Sequence, residues 1–320
     1  MAIDPRPLTG AAPQIVVLGS LNMDLVLRVP HMPRAGETML GHQLSQVPGG
    51  KGGNQAVSCA RQGAQVQLLS SVGADAYAEQ LLAGLRSDGI AVEHVQRHAE
   101  ASTGVAVISV DDAGQNQIVV VPGANHLLQL PEPVVEAALQ GAAFVVLQFE
   151  TPMAEVAKAI RLAQRTGCRV ALNPSPMQTL NEAWWPALDV LVVNEAEAMQ
   201  LSGVVVDAPA HAAVAARWLY AKGVRQLVVT LGNQGAVAYD EAGARWHRAV
   251  AVKAIDTTAA GDTFLGALVT QLALGASLDE ATQWAIRAAS ICVTRAGAQP
   301  SIPTYDEVQT LTQATSWSAL

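Results

Sequence analysis

Hydrophobic and polar positions alternate between two patterns in the second half of the chain. Short, nearly continuous apolar runs occur at 143–148 (AFVVLQ), 169–172 (RVAL), 190–193 (VLVV) and 226–230 (QLVVT). Between them lie Ala-rich segments with helical spacing, notably 153–164 and 208–222, the second closing on a Lys222-Gly223 helix stop. Apolar strands separated by helices predict a parallel sheet covered on both faces. Runs at 14–19 and 66–71 extend the pattern toward the N-terminus. Four other segments, 25–29, 38–47, 103–110 and 117–121, alternate only partly. They are separated by turn residues such as Asp111-Asp112-Ala113-Gly114 rather than by long helices. They predict a small antiparallel sheet inserted in the larger unit, placed to act as a lid.

In open α/β sheets ligands collect outside the carboxyl ends of the strands. Asn22 and Asp24 follow the first run, Glu150 follows FVVLQF and Asn173 follows RVAL. Asn194, Glu195 and Glu197 follow VLVV, and Gly232 and Gly235 follow LVVT from Thr230. The stretch 251–255 (AVKAI) is read as a last strand leading into 256–262 (DTTAAGD). Loop polarity or helix capping accounts for any one of these alone. Six together favour a shared cleft.

Two small-residue clusters sharpen that expectation. The run 48–54 (PGGKGGN) is not a Walker A loop, because Gly rather than Ser or Thr follows Lys51. Nor is it a dinucleotide fingerprint, because Gln55 occupies the last glycine position. It is either a flexible turn or a backbone that a ligand approaches closely. TLGNQG at 230–235 is a weaker version. Ala259-Ala260-Gly261-Asp262 is expected to open a helix from Thr263 to about Leu274. Bare residues let an anion reach helix N-terminal amides, and Asp262 is either a simple cap or the acceptor of a hydroxyl proton.

Composition narrows the class. The 320 residues are 50% hydrophobic and 14% charged, enough for one large domain with an appendage. A net charge of −8 with no Lys/Arg run argues against nucleic acid. The three cysteines, Cys59, Cys168 and Cys292, have no metal-ligand spacing and suit a reducing, cytoplasmic setting. The first dozen residues lack a secretory pattern and read as a loose tail, and no apolar run of about 18 residues predicts a membrane span. His31, His42 and His94 read as surface or packing residues, and Trp184-Trp185 as packing.

DTTAAGDTF resembles the C-terminal signature of the ribokinase-like (PfkB) carbohydrate kinases, and GGKGGNQAV resembles their N-terminal signature. GSLNMD, STGVAVISV, GANHLL, LNPSP, NEAE, TLGNQG and VTRAGAQPSIP follow in the family's order, so the likeness runs from Ile15 to Pro303. It implies a three-layer α/β/α sandwich, kinase domain 14–320 after a tail 1–13, with lid strands from about 24–48 and 102–122 and a homodimer through the lid. It implies ATP-dependent phosphorylation of D-ribose at O5, with another pentose, a ketohexose or a nucleoside as alternative acceptors. A catalytically inactive sugar or nucleotide sensor is the alternative of a different class.

By position, the resemblance makes Asp262 the base and the amides of Ala259, Ala260 and Gly261 the anion hole. Asn22, Asp24, Gly50, Lys51, Asn54 and Glu150 match sugar positions. Asn194 and Glu197 match an NxxE motif near Mg²⁺ and phosphates, while Thr230, Gly232 and Gly235 match the nucleotide site. Asp256, Thr258, Cys292, Arg295, Gly297 and Ser301 match ligands of an activating K⁺, largely through carbonyls. The chain departs from the family at Ile286, where a polar residue lies near the adenine, and at Leu265 and Pro48. The resemblance implies ribose rather than 2-deoxyribose at Asn22, because deoxyribose-type members of the family tend to carry an apolar residue there.

Overall fold

The computed structural model describes residues 11–311 and 317–320, so most of the expected tail 1–13 lies outside the described residues. In chain order the first half comprises β1 (Gln14–Leu18), β2 (Asn22–Val29), β3 (Gln43–Gly49), α1 (Lys51–Arg61), β4 (Gln65–Gly73), α2 (Ala76–Ser87), β5 (Val95–His98), β6 (Gly104–Asp111), β7 (Asn116–Val121), α3 (Glu132–Leu139), β8 (Phe144–Leu147) and α4 (Met153–Thr166). The second half comprises β9 (Arg169–Leu172), β10 (Val190–Asn194), α5 (Glu195–Ser202), α6 (Pro209–Tyr220), β11 (Gln226–Thr230), β12 (Ala236–Asp240), β13 (Gly243–His247), α7 (Ala260–Ala273), α8 (Leu278–Cys292), α9 (Tyr305–Thr310) and β14 (Trp317–Ala319).

Among the described residues ten strands form the main sheet, in the order β14-β13-β12-β11-β10-β9-β8-β1-β4-β5. From β11 to β5 the neighbours are parallel. FVVL of β8 is buried at every position because helices cover both faces, which is why these strands read as unbroken apolar runs. Helices α1, α2, α7 and α8 close one core and α3 to α6 the other. Helix α4 stops at Gly167 in the left-handed conformation, φ 75°.

The antiparallel edge β12-β13-β14 occupies the place where 251–255 was expected as a strand. That segment is irregular and open, with Ile255 69% exposed. The hairpin has already paired with β11, so 251–255 has no neighbour; the Ile255 and Asp256 amides instead donate to Val293 O at the end of α8. The small sheet has the order β3-β2-β6-β7. Its outer pairs are antiparallel and its middle pair, β2-β6, is parallel. Residues 38–42, expected at the start of β3, are not strand.

The small sheet is rooted at the C-terminal edge of the large one. Asn125 bonds both backbone groups of Leu21, accepting at 2.9 Å and donating at 3.0 Å. Asp75, which caps α2, accepts the Thr103 amide and hydroxyl, each at 2.7 Å, just before β6. These two clamps fix where β2 and β6 leave the main body.

Candidate active site

Two helix N-termini meet at one place. Helix α7 begins at Ala260, three residues before the expected start, because Ala259 takes the left-handed conformation (φ 60°) and caps it. Ala259 is the one non-glycine residue at positive φ among the described residues, a strained geometry of the kind stored at functional sites. The Ala260 amide donates to Thr257 O (3.2 Å), so that expected anion-hole group is already used. The Gly261 and Asp262 amides belong to the first turn, where intrahelical partners are lacking. A Cβ added at Gly261 would meet nothing within 4 Å, which leaves open space for an anion.

Helix α1 begins at Lys51, directly after Gly50 (φ 85°). The glycine run is therefore a helix start rather than a loop. A Cβ at Gly52 would lie 2.4 Å from Gly19 C and 2.5 Å from Ser20 N. The close approach here is to the protein's own backbone, which seats α1 against the end of β1. Glu150 closes this end, accepting the Lys51 amide (3.1 Å) and the Ser20 hydroxyl on Oε2.

The two helices are cross-linked at the Asp262 carboxylate. Asn54 Nδ2 donates to Asp262 Oδ2 (3.0 Å) and Gln55 Nε2 donates to Oδ1 (2.8 Å). Ser58 Oγ donates to Thr263 O (2.8 Å) one turn further along. Asp262 is only 7% exposed, so both of its oxygens depend on protein donors. Burial acts to lower the Lys51 ammonium, but Asp262, Glu150 and Glu197 around it raise it overall, so Lys51 stays charged. Asp24 behaves oppositely: burial, then the charges of Glu150 and Asp262, push its carboxyl up to about 7.

A cavity of about 250 Å³ reaches from Lys51 and Asp262 along Ala259–Gly261 to Asn194 and Glu197. A larger one of about 780 Å³ continues from Thr230, Gly232 and Gly235 to Val252, Phe264 and Ile286. The NxxE pair forms a capping box: Asn194 Oδ1 accepts the Glu197 amide (2.8 Å), and Glu197 Oε2 accepts the Asn194 amide (3.0 Å). Asn173 also donates to Glu197 Oε2 (3.3 Å).

Asn22 lies at the root of the small sheet, as the first residue of β2, its Oδ1 accepting from Asn125 Nδ2 (2.8 Å). Asn125 was visible in GANHLL, but nothing local shows that it orients Asn22, 103 positions away. Gln55 and Gln148, the latter at the end of β8, were also missed; for Gln148 the available signal was a glutamine closing the apolar run AFVVLQ.

The second expected ligand group is also brought together. Asp256 Oδ1 accepts the Thr258 amide and Oδ2 the Gly297 amide, both at 2.9 Å. Burial acts to raise this carboxyl, but those bonds hold it below the ordinary range. Cys292 Sγ reaches Thr258 O at 3.7 Å and Ser301 Oγ at 3.0 Å. The Arg295 guanidinium turns away to Glu307 (2.6 Å), so only its backbone faces this group. Among the described residues no set of three or more His, Cys, Asp or Glu side chains is placed to hold a metal, and no helix is long and apolar enough to cross a membrane.

Comparison with known proteins bears on the family and the fold. A family model described as pfkB family carbohydrate kinase matches residues 12–305. A ribokinase of Haemophilus influenzae is 39% identical over 294 residues, covering 92% of this chain and 96% of the relative. A deoxyribokinase of Salmonella typhimurium is 34% identical over 296 residues, with the same coverage, 92% and 96%. The solved Arabidopsis thaliana ribokinase complexed with ribose and ATP superposes with a TM-score of 0.87 at 30% identity, covering 94% of this chain and 98% of that one. The central sheet, lid sheet and flanking helices are those of the ribokinase-like sandwich, and the chain belongs to the pfkB family of carbohydrate kinases.

Proposed function

We propose that this protein transfers the γ-phosphoryl group of ATP to O5 of D-ribose, with Asp262 as base. The observation that carries the reading is the buried Asp262 carboxylate at the N-terminus of α7, beside the charged Lys51. Asp262 takes the O5 proton as that oxygen bonds to phosphorus, and the bond to the ADP oxygen breaks. The Gly261 amide, the α7 dipole and Lys51 meet the negative charge that develops, the main demand of phosphoryl transfer. Asn54 Oδ1 is buried with no partner among the described residues, an acceptor suited to a sugar hydroxyl. Asn125 occupies Asn22 Oδ1, which turns the Asn22 NH₂ toward the sugar as a donor for a ring hydroxyl. Asp24, Gly50 and Glu150 complete the proposed sugar side, and Thr230, Gly232 and Gly235 the nucleotide side.

Mg²⁺ fits this site as an ion that would be held mainly by phosphates and water, with Glu197, which lines the smaller cavity beside the Asn194 cap, as its protein carboxylate. When bound it neutralises phosphate charge. K⁺ fits the oxygens gathered at Asp256, Thr258, Cys292, Arg295, Gly297 and Ser301, where it would brace the loop that ends in Ala259. The kinase unit is taken as 14–320 in a cytoplasmic setting, with the small sheet as lid.

ADP release with Mg-ATP, with and without K⁺, tests the reading on ribose, 2-deoxyribose, fructose and adenosine. Ribose turnover at least about tenfold above 2-deoxyribose, stimulated by K⁺, is expected; a preference for another acceptor would reject ribose as substrate. Ribose affinity should also depend on pH. Asp24 carries a proton in the free protein below about pH 7, and only its ionised form accepts two hydroxyl bonds. The dissociation constant should therefore fall up to tenfold per unit as pH rises toward 7 and level off above it. Calorimetry showing a flat profile from pH 5.5 to 8 would remove Asp24 from the site.

The lid also supports a homodimer. Edge strand β7 leaves Ile118, Val119, Val120 and Val121 each about half or more exposed, at 55%, 64%, 50% and 49%. Consecutive exposed residues uncover both faces of an unpaired edge. Sedimentation should show a dimer that Val119→Lys converts to monomer; an unchanged dimer would place the interface elsewhere.

A further inference from the structure

One of the two bonds on Asp262 is the last link of a longer buried chain. Gln148 Nε2 donates to Leu18 O at the end of β1 (3.2 Å) and to Gln55 Oε1 (2.8 Å). Gln55 Nε2 then donates to Asp262 Oδ1 (2.8 Å). Both glutamines are fully buried, at 0% exposure. The Gln148 amide lies against Gly19, where a Cβ would come within 2.3 Å of it.

Both ends of this chain can only accept: one is a strand carbonyl, the other a carboxylate. That removes the ambiguity usual for amides. Gln148 must turn its NH₂ toward Leu18 and Gln55, and Gln55 is left with its NH₂ for Asp262. Turning either amide over sets two oxygens face to face in a low-dielectric interior.

We infer that Gln55 and Gln148 are positioning residues for phosphoryl transfer: they pin Asp262 Oδ1 to the end of the β-sheet and leave Oδ2, on the Asn54 side, to take the hydroxyl proton. The inference rests on the reading of Asp262 as the base.

Four variants test it. Gln55→Leu should lower kcat about 100-fold while KM for sugar and ATP stay within about threefold, because substrate contacts survive and base geometry does not. Gln148→Glu, when ionised, offers only acceptors and forces the Gln55 oxygen toward Asp262, so it should lose a comparable factor. Gln148→Leu lets Gln55 keep its donor on Asp262 and should lose only about threefold. Gln55→Leu combined with Gln148→Glu should lose no more than Gln55→Leu alone, since both act through one bond. The inference is overturned if Gln55→Leu keeps kcat within threefold, if the two Gln148 variants lose equally, or if the losses multiply. Should Gln55→Leu fail to fold, the Gln148 pair decides.

A readout independent of turnover separates this from failure of the kinase reading. The ¹³C-carboxyl signal of Asp262 is identified by its disappearance in Asp262→Asn. Its chemical shift should move further in Gln55→Leu than in Gln148→Leu, because only the first removes a donor from the carboxylate. Lys51, Asp24, Glu150, Glu197, Asp256 and Cys292, the titratable groups around it, are the same in Gln55→Leu and Gln148→Leu as in the unsubstituted protein. A signal that does not move in Gln55→Leu would overturn the inference even in a protein that phosphorylates some other acceptor.

Discussion

Asp262→Asn should lower kcat by about 10³-fold while ribose and ATP still bind. An amide of the same shape keeps the packing of a side chain that is 7% exposed, but it cannot take the hydroxyl proton. It also presents an NH₂ to a site where Asn54 and Gln55 both offer donors, so one of those bonds is lost. Lys51 keeps Glu150 and Glu197 nearby, which preserves its charge and the attraction for phosphate. The loss should therefore fall on kcat rather than on KM. Steady-state kinetics paired with calorimetric binding separate the two. A variant that retains more than a tenth of wild-type kcat would mean that the proton leaves by another route.

Gly52→Ala should be the most damaging methyl addition in α1. The new Cβ would stand 2.4 Å from Gly19 C, 2.5 Å from Ser20 N and 2.6 Å from Gly19 Cα. All three are backbone atoms, so no side chain can swing aside and α1 must lift from the end of β1. Overpacking of this kind costs about 3 kcal/mol, and for a chain of this size lowers the melting temperature by roughly 5 °C. Because α1 carries Lys51, Asn54 and Gln55, a shift near 1 Å should also reduce turnover about 100-fold. Gly84 in α2 is the control: a Cβ there meets nothing within 4 Å, and Gly84→Ala should stabilise by about 0.5–1 kcal/mol. Equal melting temperatures for the two variants would show that the α1 contact is not tight.

Much of the scaffold was legible because burial of strand faces is written locally. FVVL and VLVV are apolar throughout and QLVVT at its three central positions, and each of those stretches is a strand covered on both sides. The 251–255 stretch has similar apolar content and is not a strand. Whether it pairs depends on a free sheet edge, and β12 had taken that edge. The glycine run looked like a loop because composition does not distinguish backbone that meets a ligand from backbone that meets the chain itself. NxxE was legible as a motif, but its capping geometry appeared only with α5 in place.

The sequence by itself determined the α/β layering, the collection of polar residues at strand ends and the small-residue helix start that leaves Asp262 standing. These follow from periodicity and residue type within short windows. Only the tertiary structure decided which groups hold that carboxylate. Gln55 and Asp262 lie 207 positions apart, and Gln148 and Gln55 lie 93 apart. Their contact depends on β8 standing beside β1 and on α1 packing against α7. No local pattern encodes such a meeting, because hydrogen-bond partners in a buried site are chosen by where the sheet brings distant strand ends and helix starts together.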